Sequence, residues 1–409
     1  MEKNDAGVII VGAGHAGGTA AALLRQFGYA APIRLVGEEP LAPYQRPPLS
    51  KAWLKGEADA ESLALKPESF YAEAGITLSL GGRVVALDRA SKTVRLESGE
   101  THAYEALILA TGARARKLDV AGADLDGVLV LRSAADAEAL KSSLGPGKRL
   151  AVVGGGYIGL EAAASSRALG GEAVVLEREP RILARVAGPV LSDFFTRYHQ
   201  GKGVEIRTEV EIAAFEGERG RVVAVRLANG ERIACDVVLV GVGAIPNTEL
   251  AAEAGLACDN GIIVDAGART VDPAIFAIGD VTRRPLERYG RDGRLESVAN
   301  ALEQARQAAS AIVGRPVPPS EVTWNWSDQY DLKLQIAGLP FDVDDVVLRG
   351  DPASGSFALF HLAGDVIQAV EAVNAPAEFM GGRQLIAQRR PVSRARLADP
   401  SVSMKEVAA

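Results

Sequence analysis

The feature that most constrains this chain is a glycine pattern that occurs twice, each time directly after an apolar run. The first copy, G-A-G-H-A-G, occupies residues 12–17 and follows the β-branched run 8–11. A buried strand, a glycine turn, a helix and a second strand in this order form a βαβ unit, which binds a diphosphate at the helix N-terminus. The second strand, 33–36, leads to Glu38, where a carboxylate accepts the ribose hydroxyls of a dinucleotide.

Each glycine of the first copy has a physical role. Gly12 permits the tight turn, and Gly14 lets a diphosphate approach the backbone. Gly17 lets the following helix, predicted over 16–27, lie close to the sheet. One such pattern alone is weak evidence, because a glycine-rich loop without a ligand carries the same letters.

The second copy, G-G-G-Y-I-G, repeats the spacing between an apolar run at 150–153 and a predicted helix at 160–169. Two dinucleotides are therefore expected on one chain. We predict a flavin and a nicotinamide, because an enzyme that takes electrons from NAD(P)H commonly holds a second carrier to receive the hydride. The residues predicted to bind the second dinucleotide are Gly154, Gly156, Tyr157, Ile158 and Gly159.

The acidic residue after the second βαβ unit bears on the choice of nicotinamide. Glu177 ends the strand 173–176, where a carboxylate accepts the 2′-hydroxyl of NADH and repels the 2′-phosphate of NADPH. Arg178 could bind that phosphate, but Glu179 follows it. The pattern favours NADH.

Small-residue turns follow two further buried strands. Ala110, Thr111 and Gly112 end the run 106–109, and Gly243 lies in a matching turn after 238–240. In a doubly wound sheet, the carboxyl ends of the strands face the ligand crevice. We therefore expect both turns to contact the cofactors.

Composition limits the class of function. A chain of 409 residues suits two or three domains, and a net charge of −7 argues against general nucleic-acid binding. Cys235 and Cys258 lack C-x-x-C spacing, so they are expected to be core residues and not a dithiol that relays electrons. The four histidines are scattered without ligand spacing, so no metal site is expected.

Two observations predict a cytoplasmic protein. No apolar run approaches the ~20 residues that a membrane-spanning helix needs. Residues 1–5 lack the apolar core of a signal peptide.

A proline-rich stretch at 43–51 is either a rigid connecting loop or a backbone wall beside a flat ring. In the second case Arg46 and Lys51 would bring positive charge to a reduced flavin. Farther along, Asp280 ends a short apolar strand, where it is either a plain turn residue or an acceptor for ribityl hydroxyls. The helix that opens near residue 296 would point its N-terminal dipole at the flavin.

The remaining pattern predicts several secondary-structure elements. Residues 76–96 alternate like a β-meander, and Ser133 with Asp136 resembles a helix capping box. A third region begins beyond a proline-rich boundary at 314–319. Its predicted strands are 333–337, 343–349, 357–361 and 366–373, and its predicted helix is 379–388.

Together these motifs resemble the FAD-dependent ferredoxin reductases of the putidaredoxin reductase and dioxygenase-reductase type, over nearly the whole chain. The most specific segments are 46–51, 154–161, 276–280, 296–305 and 326–330. Asn325 departs from the pattern, since an aromatic residue is common there.

The resemblance implies an α/β fold with two Rossmann-like dinucleotide-binding domains, as in glutathione reductase, and a C-terminal α+β domain. The implied boundaries are 1–114 with 246–320 for FAD, 115–245 for NAD, and 321–409 for the last domain. The residues that look like FAD contacts are Ala16, Glu38, Lys51, Val84, Arg132, Asp280 and Val298.

The resemblance also implies roles near the flavin. Lys51 and Glu161 would form an ion pair near flavin N5, and Trp326 would cover a flavin face or border the exit edge, or simply pack in the core. Tyr157 would gate the nicotinamide, or merely pack.

The implied reaction passes electrons from NADH through FAD to a small [2Fe–2S] ferredoxin, which feeds a cytochrome P450 or ring-hydroxylating oxygenase. The ferredoxin would be acidic, and the reductase would be a monomer or weak dimer. An arginine-rich loop would be the docking surface, or that loop would be an ordinary solvated turn. The arginines considered are Arg283, Arg284, Arg288, Arg291 and Arg294, with Arg306 on the next helix.

Two alternatives stay open at this point. Another flavin enzyme, such as an NADH oxidase or a monodehydroascorbate reductase, would use the same two sites with a different acceptor. A flavoprotein that senses NADH through a long-lived charge-transfer complex would use them without turnover. A cysteine-dependent oxidase or peroxidase would need a thiol beside Pro47 and Pro48, and that loop has none.

Overall fold

The computed structural model describes residues 6–408, so the predicted lack of a signal peptide, which rests on residues 1–5, lies outside the described residues. The chain forms two compact units, each built from separate segments. The first comprises Met1–Arg46, Ala60–Arg114 and Ala244–Glu321, and the second comprises Pro47–Asp59, Ala115–Gly243 and Val322–Ala409. The three-domain division stays a prediction.

The first unit is built on a seven-stranded sheet. Its parallel strands, in spatial order, are Ile76–Leu80, Ile33–Gly37, Gly7–Val11, Thr101–Leu109 and Ile275–Ala277. Its antiparallel strands are Thr93–Leu96 and Val84–Asp88. Gly7–Val11 is buried along its whole length, as a β-branched run in the middle of a covered parallel sheet should be.

The predicted meander over residues 76–96 is wrong in its first part. Ile76–Leu80 pairs in parallel with Ile33–Gly37, with Ile76 opposite Ile33. Only Ile76 of this edge strand is fully buried. An edge strand with one covered face alternates in the same way as a meander strand, so the pattern alone does not distinguish them.

Two long helices of the first unit, His15–Gln26 and Val298–Ile312, pack against each other. Ala20 and Ala21 on one helix and Ala305 and Ala308 on the other are fully buried, and these small side chains allow close approach. The other helices of this unit are Ala60–Leu63, Glu68–Glu73 and Glu249–Glu253, with 3₁₀ turns at Gly279–Val281 and Glu287–Tyr289. A small sheet contains Ile262–Ile263, Thr282–Leu286 and Arg291–Gly293.

The second unit contains a five-stranded parallel sheet. As in the first unit, a central strand is followed by a glycine turn and a helix. The strands of this sheet, in spatial order, are Glu205–Arg207, Glu172–Leu176, Arg149–Val153, Val237–Val240 and Val128–Leu129. An antiparallel sheet adds Ile212–Glu218, Arg221–Leu227 and Arg232–Ala234. Two further short strands are Ala113–Ala115 and Ala244–Pro246, and the second of them belongs to the first unit.

The helices of this part of the second unit include one whose start was predicted in detail. Ser133 Oγ accepts from Asp136 N at 3.2 Å and Asp136 Oδ2 accepts from Ser133 N at 2.8 Å, which confirms the capping box. The helices are Ala52–Lys55, Ala134–Ser143, Tyr157–Ala168 and Pro189–Gly201, with a 3₁₀ turn at Pro47–Ser50.

The C-terminal region is an antiparallel five-stranded sheet covered by helices. Its strands, in spatial order, are Trp324–Gln329, Leu332–Gly338, Val366–Val373, Ser356–Ala363 and Asp345–Asp351. Its helices are Pro376–Gln388 and Arg394–Ala398, with a 3₁₀ turn at Pro352–Ser354. Phe360, Val370 and Phe379 lie in its core. The four predicted strands and the predicted helix of this region are present, and Trp324–Gln329 is a fifth strand that was not predicted.

No helix among residues 6–408 has both the length and the apolar character needed to cross a bilayer.

Candidate active site

The first glycine pattern forms a sharp turn that admits no larger residue at two positions. Gly12 has φ +115°, and a Cβ there would lie 2.1 Å from the Ala110 carbonyl oxygen. A Cβ on Gly17 would lie 2.0 Å from the Gly12 oxygen. At Gly14, by contrast, an added Cβ meets nothing within 4 Å among the described residues. The turn is therefore tight behind Gly12 and open in front of Gly14.

The open side of this turn has the chemistry of an anion site. Gly14 is the N-cap of helix His15–Gln26, and within the described residues no side chain caps the helix and no acidic residue lies in its first turn. The helix therefore presents unsatisfied amide donors and the positive end of its dipole. This arrangement fits the diphosphate of a dinucleotide.

Asp280 and His15 lie at this end of the helix. Burial lowers the pKa of His15, while the negative charge of Asp280 acts in the opposite direction. His15 Nδ1 is buried without a hydrogen-bond partner among residues 6–408. The Ala16 Cβ would be 3.1 Å from a Cβ on Gly279, so the structure brings Ala16 next to the turn that carries Asp280.

Gln304 holds the turn around Asp280, and the sequence analysis missed this role. Its Oε1 accepts from Gly279 N at 2.8 Å, from Thr282 Oγ1 at 2.9 Å and from Asn300 Nδ2 at 3.2 Å. The sequence signal that could have identified Gln304 is that a glutamine lies on the alanine-rich, buried face of a helix. The helix begins at Val298, two residues later than predicted, because Ser297 is its N-cap.

The small-residue turn after Thr101–Leu109 is fixed by Asn247. Thr111 Oγ1 donates to the Asn247 carbonyl at 2.8 Å, and Asn247 Nδ2 donates to the Thr111 carbonyl at 2.9 Å. Gly112 O accepts from Asn247 N at 3.0 Å. Ala110 is buried beside Gly12.

Other predicted FAD contacts of the first unit lie at strand ends. Glu38 is exposed after strand Ile33–Gly37, and Val84 is buried at the start of its strand. Arg46 forms an ion pair with Glu39 at 2.8 Å, and Glu39 also accepts from the Tyr44 hydroxyl at 2.7 Å. Glu39, next to the predicted carboxylate, thus holds the arginine.

The second glycine pattern repeats the backbone geometry of the first. Gly154 has φ +106°, and a Cβ there would lie 2.5 Å from the Gly241 oxygen. A Cβ on Gly159 would lie 2.3 Å from the Gly154 oxygen, but one on Gly156 meets nothing within 4 Å among the described residues. Gly156 is the N-cap of helix Tyr157–Ala168, and no described side chain caps it. The second turn also fits a diphosphate.

Glu177 is tied to this turn. Its Oε2 accepts from Gly155 N at 2.6 Å, and its Oε1 accepts from Glu179 N at 2.9 Å. Arg178 is 81% exposed and pairs with Glu179 at 3.1 Å. In the turn after Val237–Val240, Gly243 has φ +106° and its carbonyl accepts from Arg116 N at 2.9 Å.

The first residues of helix Tyr157–Ala168 include the predicted gate. The Tyr157 hydroxyl donates to the Val186 carbonyl at 3.2 Å. Burial and the nearby Glu371 carboxylate raise its pKa well above the usual range, so the group remains a neutral phenol. Ile158, which follows it, is 45% exposed.

Lys51 and Glu161 form the predicted ion pair. Lys51 Nζ lies 2.8 Å from Glu161 Oε2, and the two side chains are 17% and 3% exposed. The Ser50 hydroxyl donates to the same carboxylate oxygen, and Ser327 Oγ donates to the other at 2.6 Å. Both serines were missed, because their partner is more than a hundred residues away in the chain. The buried carboxylate thus accepts from three side chains, those of Lys51, Ser50 and Ser327.

Trp326 and Arg132 complete the predicted set of the second unit. The Trp326 ring is half-buried and lies 5.5 Å from the Trp324 ring, with an angle of 31° between the planes. Arg132 directly precedes the capping box and donates its backbone N–H to Asp136 Oδ2 at 3.0 Å.

The two cysteines are free thiols. Burial raises the pKa of Cys235 to about 11 and also raises the pKa of Cys258. A raised pKa keeps both side chains in the thiol form near neutral pH, and the thiolate is the reactive form.

The predicted arginine docking loop needs correction. Arg284 is 2% exposed and forms an ion pair with Glu303 at 2.7 Å, so it cannot contact a partner protein. The segment is also not a simple loop, because Thr282–Leu286 pairs with Arg291–Gly293. Arg283 pairs with Asp259, and Arg294 pairs with Glu296. Arg306 is exposed on helix Val298–Ile312.

Residues 6–305 match the family described as pyridine nucleotide-disulphide oxidoreductase, and residues 324–408 match the reductase C-terminal family. The chain is 54% identical over 404 residues to the probable ferredoxin reductase CtmF of Castellaniella defragrans, which covers 98% of both chains. It is 42% identical to putidaredoxin reductase CamA of Pseudomonas putida, covering 100% of this chain and 98% of the relative.

Solved structures agree with these relatives. The covalent complex of putidaredoxin reductase with putidaredoxin matches with a TM-score of 0.96 and 41% identity, over 99% of this chain and 98% of that one. The ferredoxin reductase for the CYP199A2 system of Rhodopseudomonas palustris matches with a TM-score of 0.95 and 43% identity, over 99% and 100%. The predicted fold class is confirmed. The chain therefore belongs to the pyridine nucleotide-disulphide oxidoreductase family, in which several relatives similar to it are ferredoxin reductases, and this membership implies FAD and NAD(H) as its cofactors.

Proposed function

We propose that this chain is a reductase that passes electrons from NADH through FAD to a small acidic [2Fe–2S] ferredoxin, which serves a cytochrome P450 or a ring-hydroxylating oxygenase. The observation that carries the proposal is the pair of uncapped, glycine-lined helix N-termini at Gly14 and Gly156. The two free cysteines, whose raised pKa values keep them as thiols, support an electron path without a dithiol. Relatives named as ferredoxin reductases support the choice of acceptor.

The cofactor assignment follows the two glycine turns. FAD is bound by the first turn and by residues that the family resemblance marks: Gly12, Gly14, Ala16, Gly17, Glu38, Arg46, Lys51, Val84, Ala110, Thr111, Gly112, Arg132, Asp280 and Val298. NADH is bound by the second turn and its neighbours: Gly154, Gly156, Tyr157, Ile158, Gly159, Glu177 and Gly243.

When bound, FAD supplies a carrier that takes a hydride from NADH and releases electrons one at a time. The residues of this chain bind and orient, since hydride transfer needs no acid or base from the protein. Lys51 provides positive charge for the reduced ring, and Glu161 holds the ammonium in place. Trp326 shields a face or the exit edge of the ring, and Tyr157 gates the nicotinamide.

The finer features of the proposal concern the molecule in the cell. We assign the FAD domain to residues 1–114 and 246–320, the NAD domain to 115–245 and the C-terminal domain to 321–409. The protein is cytoplasmic and acts as a monomer or weak dimer.

Purification tests the reaction class. The protein should be yellow, and it should reduce an added [2Fe–2S] ferredoxin with NADH. Cytochrome c reduction that depends on the ferredoxin measures this reaction. A colourless protein that takes up no flavin would refute the proposal, and a yellow protein that reduces oxygen but no ferredoxin would favour the oxidase alternative.

We expect Glu177→Gln to narrow the preference for NADH over NADPH by about tenfold, because one repulsive charge facing the 2′-phosphate is lost. The ratio of kcat/KM for the two nucleotides measures this. Glu179→Gln is the matched control, since that carboxylate pairs with exposed Arg178. An unchanged ratio in Glu177→Gln would contradict the assignment.

Reversing the charge of an exposed arginine tests docking. Arg306→Glu should slow ferredoxin reduction about tenfold at low salt and largely spare ferricyanide reduction, because only the protein partner has to dock on the surface that carries Arg306. Arg197→Glu makes the same charge change at a side chain that is 68% exposed elsewhere. Equal slowing in both assays, or by both variants, would argue against docking at Arg306.

A further inference from the structure

A chain of buried polar side chains leads away from the Glu161 carboxylate on the side opposite Lys51. Ser327 Oγ donates to Glu161 Oε1 at 2.6 Å, and Gln329 Nε2 donates to Ser327 Oγ at 3.0 Å. His199 Nε2 lies 2.7 Å from Gln329 Oε1. Ser327, Gln329 and His199 are at most 1% exposed. These hydrogen bonds link three elements of the second unit: helix Tyr157–Ala168, strand Trp324–Gln329 and helix Pro189–Gly201.

The hydrogen bonds of this chain have one direction. A carboxylate only accepts, so the single proton of the Ser327 hydroxyl points to Glu161 and its lone pair faces the Gln329 amide N–H. Gln329 Oε1 must then accept, which places a proton on His199 Nε2. Burial lowers the pKa of His199, so the ring is neutral, and Nδ1 has no partner among residues 6–408. The three hydrogen bonds donated by His199, Gln329 and Ser327 therefore all run in the direction of Glu161.

We propose that Ser327, Gln329 and His199 are positioning residues that hold the Glu161 carboxylate, and through it the Lys51 ammonium, in one orientation. The chemical reason is that a buried carboxylate with donors on both oxygens cannot rotate without losing one of them. Hydrogen bonds in such a chain also polarise one another, so the distant histidine strengthens the bond at Ser327.

Two features argue against simple packing. An apolar core would satisfy all three positions without the cost of burying amide, hydroxyl and imidazole groups. Alternation along strand Trp324–Gln329 also puts Ser327 and Gln329 on the face opposite Trp324 and Trp326, so the polar chain occupies one entire face of the strand end. That these residues hold Lys51 does not depend on the proposed function. Only the statement that the Lys51–Glu161 pair acts on the flavin rests on it.

The test measures how tightly Lys51 is held in the full-length, FAD-loaded protein. Ser327→Ala should raise the rate at which trace acetic anhydride labels Lys51, read by peptide mass spectrometry, by about fivefold, the equivalent of one net hydrogen bond. FAD reduction by NADH should slow by a similar factor. Ser327→Thr keeps the hydroxyl and should restore both rates.

The matched control is Ser166→Ala. Ser166 is also fully buried and lies on the helix of Glu161, but its hydroxyl donates to the Glu172 carbonyl at 3.2 Å. This variant should label Lys51 at the wild-type rate. Gln329→Leu, one step farther from the carboxylate, should raise labelling about twofold and provides the measurement if Ser327→Ala does not fold.

A background variant separates positioning from packing. With Glu161→Gln already present, Ser327→Ala should cause no further increase in labelling, because effects that act through one group are not additive. Labelling in Ser327→Ala equal to that in Ser166→Ala, or an undiminished increase in the Glu161→Gln background, would overturn the inference. Lack of ferredoxin reduction would defeat the proposed function and leave this labelling test intact.

Discussion

Replacing Glu161 with leucine is expected to destabilise the protein by about 3 kcal/mol, one of the two largest effects that the structure predicts. The substitution leaves the Ser327 hydroxyl without its acceptor and the Lys51 ammonium with the Pro47 carbonyl at 3.2 Å but no carboxylate, in a site where Glu161 is 3% exposed. Lys51 is 17% exposed and can reach some water, which places the loss at the low end for a buried pair. Urea unfolding with an unchanged m-value measures it.

An exposed pair in the same part of the chain is the control. Lys55 Nζ lies 2.6 Å from Glu57 Oε2, but the two side chains are 32% and 58% exposed. Glu57→Leu should change the free energy of unfolding by less than about 0.5 kcal/mol, since exposed pairs contribute little. Equal losses in Glu161→Leu and Glu57→Leu would show that the buried pair has no special importance.

A double variant identifies the cause of the loss. Lys51→Met with Glu161→Leu removes both charges and should recover at least half of the stability, because an unpaired buried charge is then absent. Recovered stability together with slow FAD reduction would separate the structural contribution of the pair from its contribution to the reaction. A double variant that is less stable than Glu161→Leu would contradict this explanation.

The glycine turns were predictable from the sequence because their geometry is local. Gly12 and Gly154 require positive φ and leave no space for a side chain, so residue type alone reports the conformation. The capping box at Ser133 is equally local. The two dinucleotide-binding folds followed from these units and their repetition, and the rest of the fold class followed from the family resemblance.

The features that the sequence did not reveal depend on distant partners. Arg284 looked like one of several loop arginines, and only the position of Glu303 on a neighbouring helix shows that it is buried. His199 and Gln329 are 130 residues apart, and no spacing rule connects them. Side-chain partners of this kind are set by tertiary packing, so periodicity and motif spacing carry no signal for them.

Adding one methyl group at either open glycine is expected to remove one cofactor selectively. Gly14→Ala should weaken FAD binding, and Gly156→Ala should raise the KM for NADH, each by about 10- to 100-fold. The reason is that a diphosphate pushed away from a helix N-terminus loses charge-assisted hydrogen bonds of about 1.5–3 kcal/mol. FAD retention on gel filtration and steady-state kinetics with saturating FAD measure the two effects.

The open glycines make this test sharp because the fold does not oppose the substitution. The φ of both residues is −82°, which alanine adopts freely, and an added Cβ meets nothing within 4 Å among the described residues. Gly201→Ala, at the C-terminal end of helix Pro189–Gly201, has equally open surroundings and should change neither property. If Gly14→Ala keeps its FAD as firmly as Gly201→Ala does, no diphosphate approaches that turn, and the assignment of the flavin to the first glycine pattern is wrong.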